Sequence, residues 1–376
     1  MLAVRLRAGC LAASVLALGG CTSQIESLTN ATNNATTSVS RVWSGPEGSA
    51  RQVSLFSVST RARDSGTFAE STDNDAHYSL NNVSVPAGHR PGNIERASFG
   101  KDDPKRHFVL LARSELDEGE FKNQLATFIS GRVGKNRDVL LFVHGFNTSA
   151  EEARNRLAQV MTDSHFGGVG VMFTWPSQGA LLAYESDKER ATASRDALER
   201  AIADIAATPG VGRVHILAHS MGTWLTMEAL RQHAIAGHAD LDGHLGDVML
   251  AAPDIDIQVF RQQMARLKGA RVSVFASSND RALSLSSKIA GDRQRLGSLD
   301  VKNPAARAEI EALGVKIYDI TDKGSGLIQH DTFAEAPAVV AIIGQRLGDA
   351  TENMASSQAT LDYAPPVPVD TSSPNR

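Results

Sequence analysis

The stretch Arg213-Val-His-Ile-Leu-Ala-His-Ser-Met-Gly222 decides how the rest of the chain is read. It begins as an apolar run of buried-strand character, passes into Ala218-His219-Ser220-Met221-Gly222, and continues at once as a helical pattern. Small residues two before and two after a serine let a strand-to-helix turn close tightly, which forces the hydroxyl into a strained, exposed position. Ala218 stands where a glycine is usual and keeps the side chain small. An unassisted serine hydroxyl is a weak nucleophile, and a serine in this place also fits a plain helix N-cap. The reading therefore depends on partners elsewhere in the chain.

One partner lies upstream, in Asp138-Val-Leu-Leu-Phe-Val-His-Gly-Phe-Asn147, a hydrophobic strand ending at His144-Gly145-Phe146. The capping-box spacing Ser149-Ala-Glu-Glu152 then starts a helix. The oxyanion of an acyl-transfer intermediate needs two fixed N–H donors, one after the nucleophile and one from such an earlier loop. The candidates are the backbone amides of Met221 and Phe146. Gly145 permits close approach of a substrate to the backbone, and the place of His144 in the turn gives it a structural role. A general base is sought downstream, where His233, His238, His244 and His330 follow Met221. The first three lie in or just after the helix that begins at the serine. His330 instead follows the last strand across Asp322-Lys-Gly-Ser-Gly-Leu-Ile-Gln-His330 and precedes the final helix, the place expected of a base in the order serine, acid, histidine. For the acid, Asp280 ends Val272-Ser-Val-Phe-Ala-Ser-Ser-Asn-Asp280, after the penultimate strand. Asp254 and Asp256, in Ala252-Pro-Asp-Ile-Asp256, compete with it, and each of the three also suits a helix cap.

Outward from these motifs, short aliphatic runs alternate with longer amphipathic stretches, the pattern of βαβ units and a mostly parallel sheet with helices on both faces. Strands are expected at Val139–Val143, Val169–Thr174, Val214–Ala218, Val248–Ala251, Val272–Ala276 and Val315–Ile320, and helices from Ser149 to about Met161 and over Asp187–Ala207, Met221–Ala234, Ile257–Leu267 and Glu335–Leu347. Val53–Ser59 and His107–Ala112 read as an antiparallel edge, separated by a polar segment from about Arg63 to Lys105 in which Tyr78 to Pro86 could form a short strand. Residues 22 to about 50 are rich in Thr, Ser and Asn and read as a tether; 351–376, with Pro365, Pro366 and Pro368, reads as a disordered tail. The folded domain is expected over 51–350.

From about Val53 to Leu347 the chain resembles a bacterial α/β-hydrolase family of the esterase/lipase superfamily, many of whose members are exported and biochemically uncharacterised. The matching residues are Leu141-Phe-Val-His-Gly-Phe-Asn147, Thr174-Trp-Pro-Ser177, Ala218-His-Ser-Met-Gly222 and Ala251-Ala-Pro-Asp-Ile-Asp256, with Ser59-Thr-Arg61 and Val83-Ser-Val-Pro-Ala-Gly-His-Arg-Pro-Gly92 upstream. The resemblance implies the α/β-hydrolase fold and hydrolase chemistry and brings no substrate with it. The expected activity is hydrolysis of a carboxylic ester or related acyl bond by Ser220, Asp280 and His330, with a small-molecule ester or acyl substrate and neither metal nor organic cofactor. Ser177–Tyr184 is the local candidate for an acyl-pocket wall, or else the first turn of a buried helix, and no long apolar lid separates the motifs. The rival class is a non-catalytic envelope protein that keeps the scaffold for binding.

The N-terminus supplies an address. Arg5 and Arg7 precede an apolar run from Cys10 to Leu18, too short to span a bilayer, which closes as Leu18-Gly19-Gly20-Cys21. This resembles the bacterial lipobox, in which residues 1–20 leave as a signal peptide and Cys21 is lipidated; the alternative is an ordinary signal peptide with a chance cysteine. Thr22 rather than aspartate after the cysteine points to the outer membrane facing the periplasm. With Cys10 removed and Cys21 consumed, no thiol remains for a disulfide, nucleophile or metal site. The chain has 376 residues, enough for one sizeable core, and loss of Arg5 and Arg7 takes its formal charge from −4 to −6, which argues against nucleic acid as the main partner.

Overall fold

The computed structural model describes residues 50–64, 67–178, 183–324 and 328–348. Residues 1–49, which include the expected signal peptide, Cys21 and tether, and the expected tail 351–376 lie outside these residues. Nine strands form one sheet: β1 Arg51–Asp64, β2 Thr67–Val85, β3 Val109–Leu116, β4 Val139–Val143, β5 Val169–Thr174, β6 Val214–His219, β7 Leu245–Ala251, β8 Arg271–Ala276 and β9 Lys316–Asp319. Their order is β3-β2-β1-β5-β4-β6-β7-β8-β9. Every neighbouring pair from β1 to β9 is parallel, whereas β2 runs antiparallel to both β1 and β3. The helices are α1 Glu118–Ser130, α2 Ala150–Asp163, α3 Tyr184–Ala193, α4 Arg195–Ala206, α5 Met221–Ala236, α6 Ile257–Met264, α7 Arg281–Ile289, α8 Pro304–Glu311, α9 Thr332–Glu335 and α10 Pro337–Leu347.

The sheet is buried on both faces, so its central strands are apolar throughout rather than alternating. All five residues of β4 are buried, yet they divide by parity: Val139, Leu141 and Val143 join the core beneath α1, α4 and α5, and Leu140 and Phe142 join the core beneath α2 and α10. Both cores are close-packed with aliphatic side chains, Leu198, Ile202 and Leu225 on the first face and Leu157, Val339 and Ile343 on the second. Each such burial contributes roughly 1.5–3 kcal/mol.

Several elements depart from the sequence reading, each for a physical reason. The polar segment after Arg63 carries most of a nineteen-residue β2. From Tyr78 onward this strand is paired with β1 on one side and β3 on the other and buries Tyr78, Leu80, Val83 and Val85, with Ser54 Oγ donating to Asn82 Oδ1 at 2.7 Å; its earlier half is laddered to β1 alone. The single helix expected over Asp187–Ala207 is two, broken at Ser194, whose buried hydroxyl bonds back to Arg190 O at 2.9 Å and across to Thr60 Oγ1 at 2.8 Å. Helices α1, α7 and α8 were not expected, although each opens on a capping residue, Asp117, Asp280 and Asn303. The helix expected from Glu335 begins at Pro337, preceded by the short α9. The capping box at Ser149 and Glu152 has both of its reciprocal bonds.

Because β4 to β9 are parallel, the loops that follow them gather at one edge of the sheet, the usual position for a ligand site in such folds.

Candidate active site

Ser220 occupies the turn between β6 and α5 with φ 51° and ψ −124°, a left-handed conformation that costs a residue with a Cβ about 1–3 kcal/mol. The turn is held by its neighbours: Ser220 N donates to Ala251 O at 2.9 Å, and Asp254 N and Thr223 N donate to Ser220 O at 3.3 and 3.0 Å. Gly222 cannot carry a side chain, because a Cβ there would collide with the carbonyls of His144 and Val143. The serine is thus strapped to the ends of β4 and β7.

The turn after β4 lies against it. A Cβ on Gly145 would stand 2.7 Å from Ser220 Cβ, so glycine there lets this turn lie directly against the serine, whereas the sequence had suggested close approach of a substrate. Met221 is the first residue of α5, where an amide has no intrahelical acceptor. Among the described residues the Phe146 amide has no hydrogen-bond partner either. His144 is buried and its ring stacks on Trp175 at 5.2 Å, with both nitrogens engaged: Nδ1 with Gly145 O at 2.8 Å, and Nε2 with Thr174 Oγ1 at 2.9 Å. Burial, then the charge of Arg61, pushes its pKa down to about 3, so the ring is neutral.

His330 reaches the same edge from the loop after β9. Its Nδ1 donates to Asp280 Oδ2 at 2.7 Å. Asp280 is fully buried and also caps α7, its Oδ1 accepting from Leu283 N at 3.0 Å, which fixes the carboxylate plane. Burial favours the neutral imidazole, but the Asp280 bond and the charges of Asp280, Asp331 and Asp254 outweigh it and raise the His330 pKa above its ordinary 6.5. The rings of His330 and His219 lie 4.6 Å apart, so His330 stands beside the serine turn. Among the described residues neither His330 Nε2 nor Ser220 Oγ has a hydrogen-bond partner; in resting sites such bonds often tighten only with substrate.

The other candidates are elsewhere. Asp254 is buried in a separate network, accepting from Tyr184 OH at 2.7 Å and Ser286 Oγ at 2.5 Å, with Arg295 Nε at 3.2 Å. Asp256 caps α6, accepting from Gln258 N at 2.8 Å and Val259 N at 3.2 Å. Of the remaining downstream histidines, His233 bonds Glu199 O, His238 pairs with Asp242 and His244 bonds Gly212 O. In the segment Ser177–Tyr184, residues 179–182 lie outside the described residues; Ser177 Oγ donates to Asp187 at 2.7 Å, and the Tyr184 ring packs 5.6 Å from Phe146.

Two residues at the site went unassigned in the sequence reading. His219 donates from Nε2 to His330 O at 3.2 Å and packs its ring on Phe333 at 4.7 Å, joining the serine turn to the histidine loop. Asp331 Oδ1 lies 3.9 Å from the same nitrogen. The available signal was adjacency to Ser220 and His330. Asn147, Thr148, His219, Asp331, Arg96 and Arg156 line a cavity of about 130 Å³ next to these residues, well below the roughly 300 Å³ at which drug-sized ligand pockets begin.

A mostly parallel sheet covered on both faces, with a strained serine between strand and helix, is the architecture of an α/β-hydrolase. The chain belongs to the family described as alpha/beta hydrolase of unknown function (DUF900), whose model matches residues 117–346. Over 62 residues it is 37% identical to an uncharacterized protein, alr1448, of Nostoc sp.; the match spans 16% of this chain and 16% of that protein. Among solved structures it is similar to a predicted CIB-like hydrolase from Thermoplasma acidophilum, at 12% identity over 79% of this chain and 98% of the other, with TM-score 0.38. A Pyrobaculum calidifontis esterase gives 10% identity over 88% and 94%, with TM-score 0.36.

Proposed function

We propose that this protein is a serine hydrolase that cleaves a carboxylic ester or related acyl bond through an acyl-enzyme. Ser220 Oγ attacks the carbonyl carbon while His330 Nε2 takes its proton, and the negative charge that develops on the carbonyl oxygen is met by the amides of Phe146 and Met221. His330 then returns the proton to the departing alkoxide, and water, deprotonated by the same imidazole, releases the acid and restores the serine. Asp280 holds the Nδ1–H tautomer, so that Nε2 is the basic nitrogen, and stabilises the imidazolium. The observation that carries the reading is the 2.7 Å bond between His330 and a fully buried Asp280 beside a serine in a left-handed turn. No long apolar lid separates the motifs in the sequence, which supports a short-chain or soluble ester as substrate.

The test is covalent labelling by a fluorophosphonate together with turnover of esters of graded acyl length. Wild-type protein should label once, at Ser220, and turn over short esters fastest; Ser220→Ala should do neither while melting as the wild type does. Labelling that persists in Ser220→Ala would remove the serine from this role, and an unlabelled, inert wild type would favour the non-catalytic binding protein. The proposed address is the bacterial envelope, with Cys21 carrying the lipid and the domain facing the periplasm from the outer membrane. Cys21→Ser should then release the protein from the membrane fraction or stall its processing. Unchanged fractionation would rule out the lipid anchor.

A further inference from the structure

Arg61 lies beyond the register pair Ser59–Thr174 that joins β1 to β5, and its side chain turns into the protein, 4% exposed. Its guanidinium spans three segments, with Nε donating to Thr174 Oγ1 at 3.0 Å, Nη1 to Ser177 O at 3.1 Å and Nη2 to Thr148 O at 2.8 Å. An arginine can only donate, so the direction of the bonds beyond it is set. Thr174 Oγ1 accepts from Arg61, which leaves its own proton for His144 Nε2, 2.9 Å away. Trp175 N donates to that same nitrogen at 3.2 Å, so Nε2 is an acceptor and the ring proton sits on Nδ1. From Nδ1 it goes to Gly145 O at 2.8 Å. The neutral state of His144, enforced by burial and by the Arg61 charge, is the one this chain of donors requires.

The last acceptor matters because of the peptide to which it belongs. Gly145 C=O and Phe146 N–H share one planar trans peptide and point in opposite directions. Holding the carbonyl toward His144 turns the Phe146 N–H the other way, away from that ring, in a turn whose Gly145 Cα lies close against Ser220. Asn147, the next residue, has φ 55°, a conformation that needs support, and Arg61 supplies it at Thr148 O. We infer that Arg61 is a positioning residue for the oxyanion hole, fixing the plane of the Gly145–Phe146 peptide through Thr174 and His144. This rests on the serine-hydrolase reading above.

The experiment compares Thr174→Val, which removes the hydroxyl at nearly constant shape, with Thr174→Ser, which keeps it, and with Arg61→Lys, which keeps the charge and loses the three-way fork. Thr174→Val and Arg61→Lys should lower kcat about 10- to 100-fold with KM within about twofold, short of the full loss of an oxyanion donor. Thr174→Ser should restore kcat, and an arylboronic acid, which forms a tetrahedral adduct on serine, should weaken in step with kcat/KM. Should Arg61→Lys melt early, the Thr174 pair decides alone. Wild-type kcat in Thr174→Val, or equal losses in the Val and Ser variants, would overturn the inference. If the wild-type protein neither labels nor turns over esters, the serine-hydrolase reading is what fails, and ¹⁵N spectra of His144 still judge the relay: loss of the Nδ1–H tautomer in Thr174→Val supports it, and an Nε2-protonated ring in the wild type refutes it.

Discussion

His330 and His89 are both largely enclosed imidazoles bonded to a carboxylate at 2.7 Å, His330 to Asp280 and His89 to Asp163. In both, burial lowers the pKa, acidic partners more than compensate, and the net shift is upward. They differ at the second ring nitrogen. His89 Nδ1 meets Glu95 at 2.8 Å within the loop after β2, so one nitrogen braces that loop and the other ties it to the end of α2, while Gly92 N donates to Asp163 beside it. His330 has one nitrogen held and the other uncommitted among the described residues, in a ring 4.6 Å from that of His219 in the serine turn. The same ion-pair chemistry makes a clamp where both ring nitrogens are bonded and, under the proposed function, a base where one is left over.

The largest test of this contrast exchanges function against stability. Asp280→Asn should cost up to about 10⁴ in kcat, since the imidazole loses its tautomer control and its counter-charge. Asp163→Asn removes one partner of a buried pair and should cost about 3 kcal/mol of stability while leaving kcat of the folded protein near wild type. Measured kcat and melting temperature of the two variants would break the comparison if Asp280→Asn turned over normally or if Asp163→Asn were catalytically dead but fully stable. Asp254→Asn belongs with Asp163: its carboxylate is committed to Tyr184, Ser286 and Arg295, so stability rather than turnover should fall.

His89 lies within Val83-Ser-Val-Pro-Ala-Gly-His-Arg-Pro-Gly92, a stretch legible in the sequence only as a resemblance, and Arg61 in Ser59-Thr-Arg61 was the same. Both act through partners more than 70 residues away, Asp163 and Thr174, and local patterning carries no information about such pairings. The central parallel strands β4 and β5 were readable to the residue, because burial on both faces leaves an uninterrupted aliphatic run, whereas β7 begins three residues before its expected start. Ser220 and the Gly145 turn were readable because tight backbone geometry restricts residue type at fixed spacing. The N-terminal half of β2 was not, since it is ordered by its ladder to β1, a pairing partner that local patterning does not reveal.

A smaller effect sharpens the description of His330 as the base. Its elevated pKa means that kcat/KM should rise with pH through a midpoint above 6.5, the neutral imidazole being the active form. The carboxylates that raise it are Asp280 at the start of α7, Asp331 on its own loop and Asp254 after β7, while the His219 ring facing it is held neutral, its pKa near 4. Asp331→Asn removes one of these charges without touching the Asp280 bond. The midpoint should move to lower pH with the alkaline plateau within about threefold, and an unmoved midpoint would show that Asp331 exerts no field on the base.

The smallest expected effect is on the pH dependence of stability, and it is carried by His89. A histidine whose pKa is higher folded than unfolded binds its proton more tightly in the native state, so its contribution is complete below the unfolded value near 6.5 and disappears as pH rises through the folded value above it. Asp163 has the opposite sign: burial raises its pKa, but bonds from His89, Gly92 N and Gln159 lower it overall, so its share is present above about 3.8 and fails as pH falls below that. The two windows overlap between about pH 4 and 6.5, where both members of the pair are charged. Wild type and His89→Gln should therefore differ most in melting temperature between about pH 4 and 6.5 and converge as pH rises through the folded-state value above 6.5, with turnover of the folded protein equal throughout. A gap that widened on the alkaline side would mean that His89 is neutral in the native protein and donates to only one of its two carboxylates, which would remove the proposed parallel with His330.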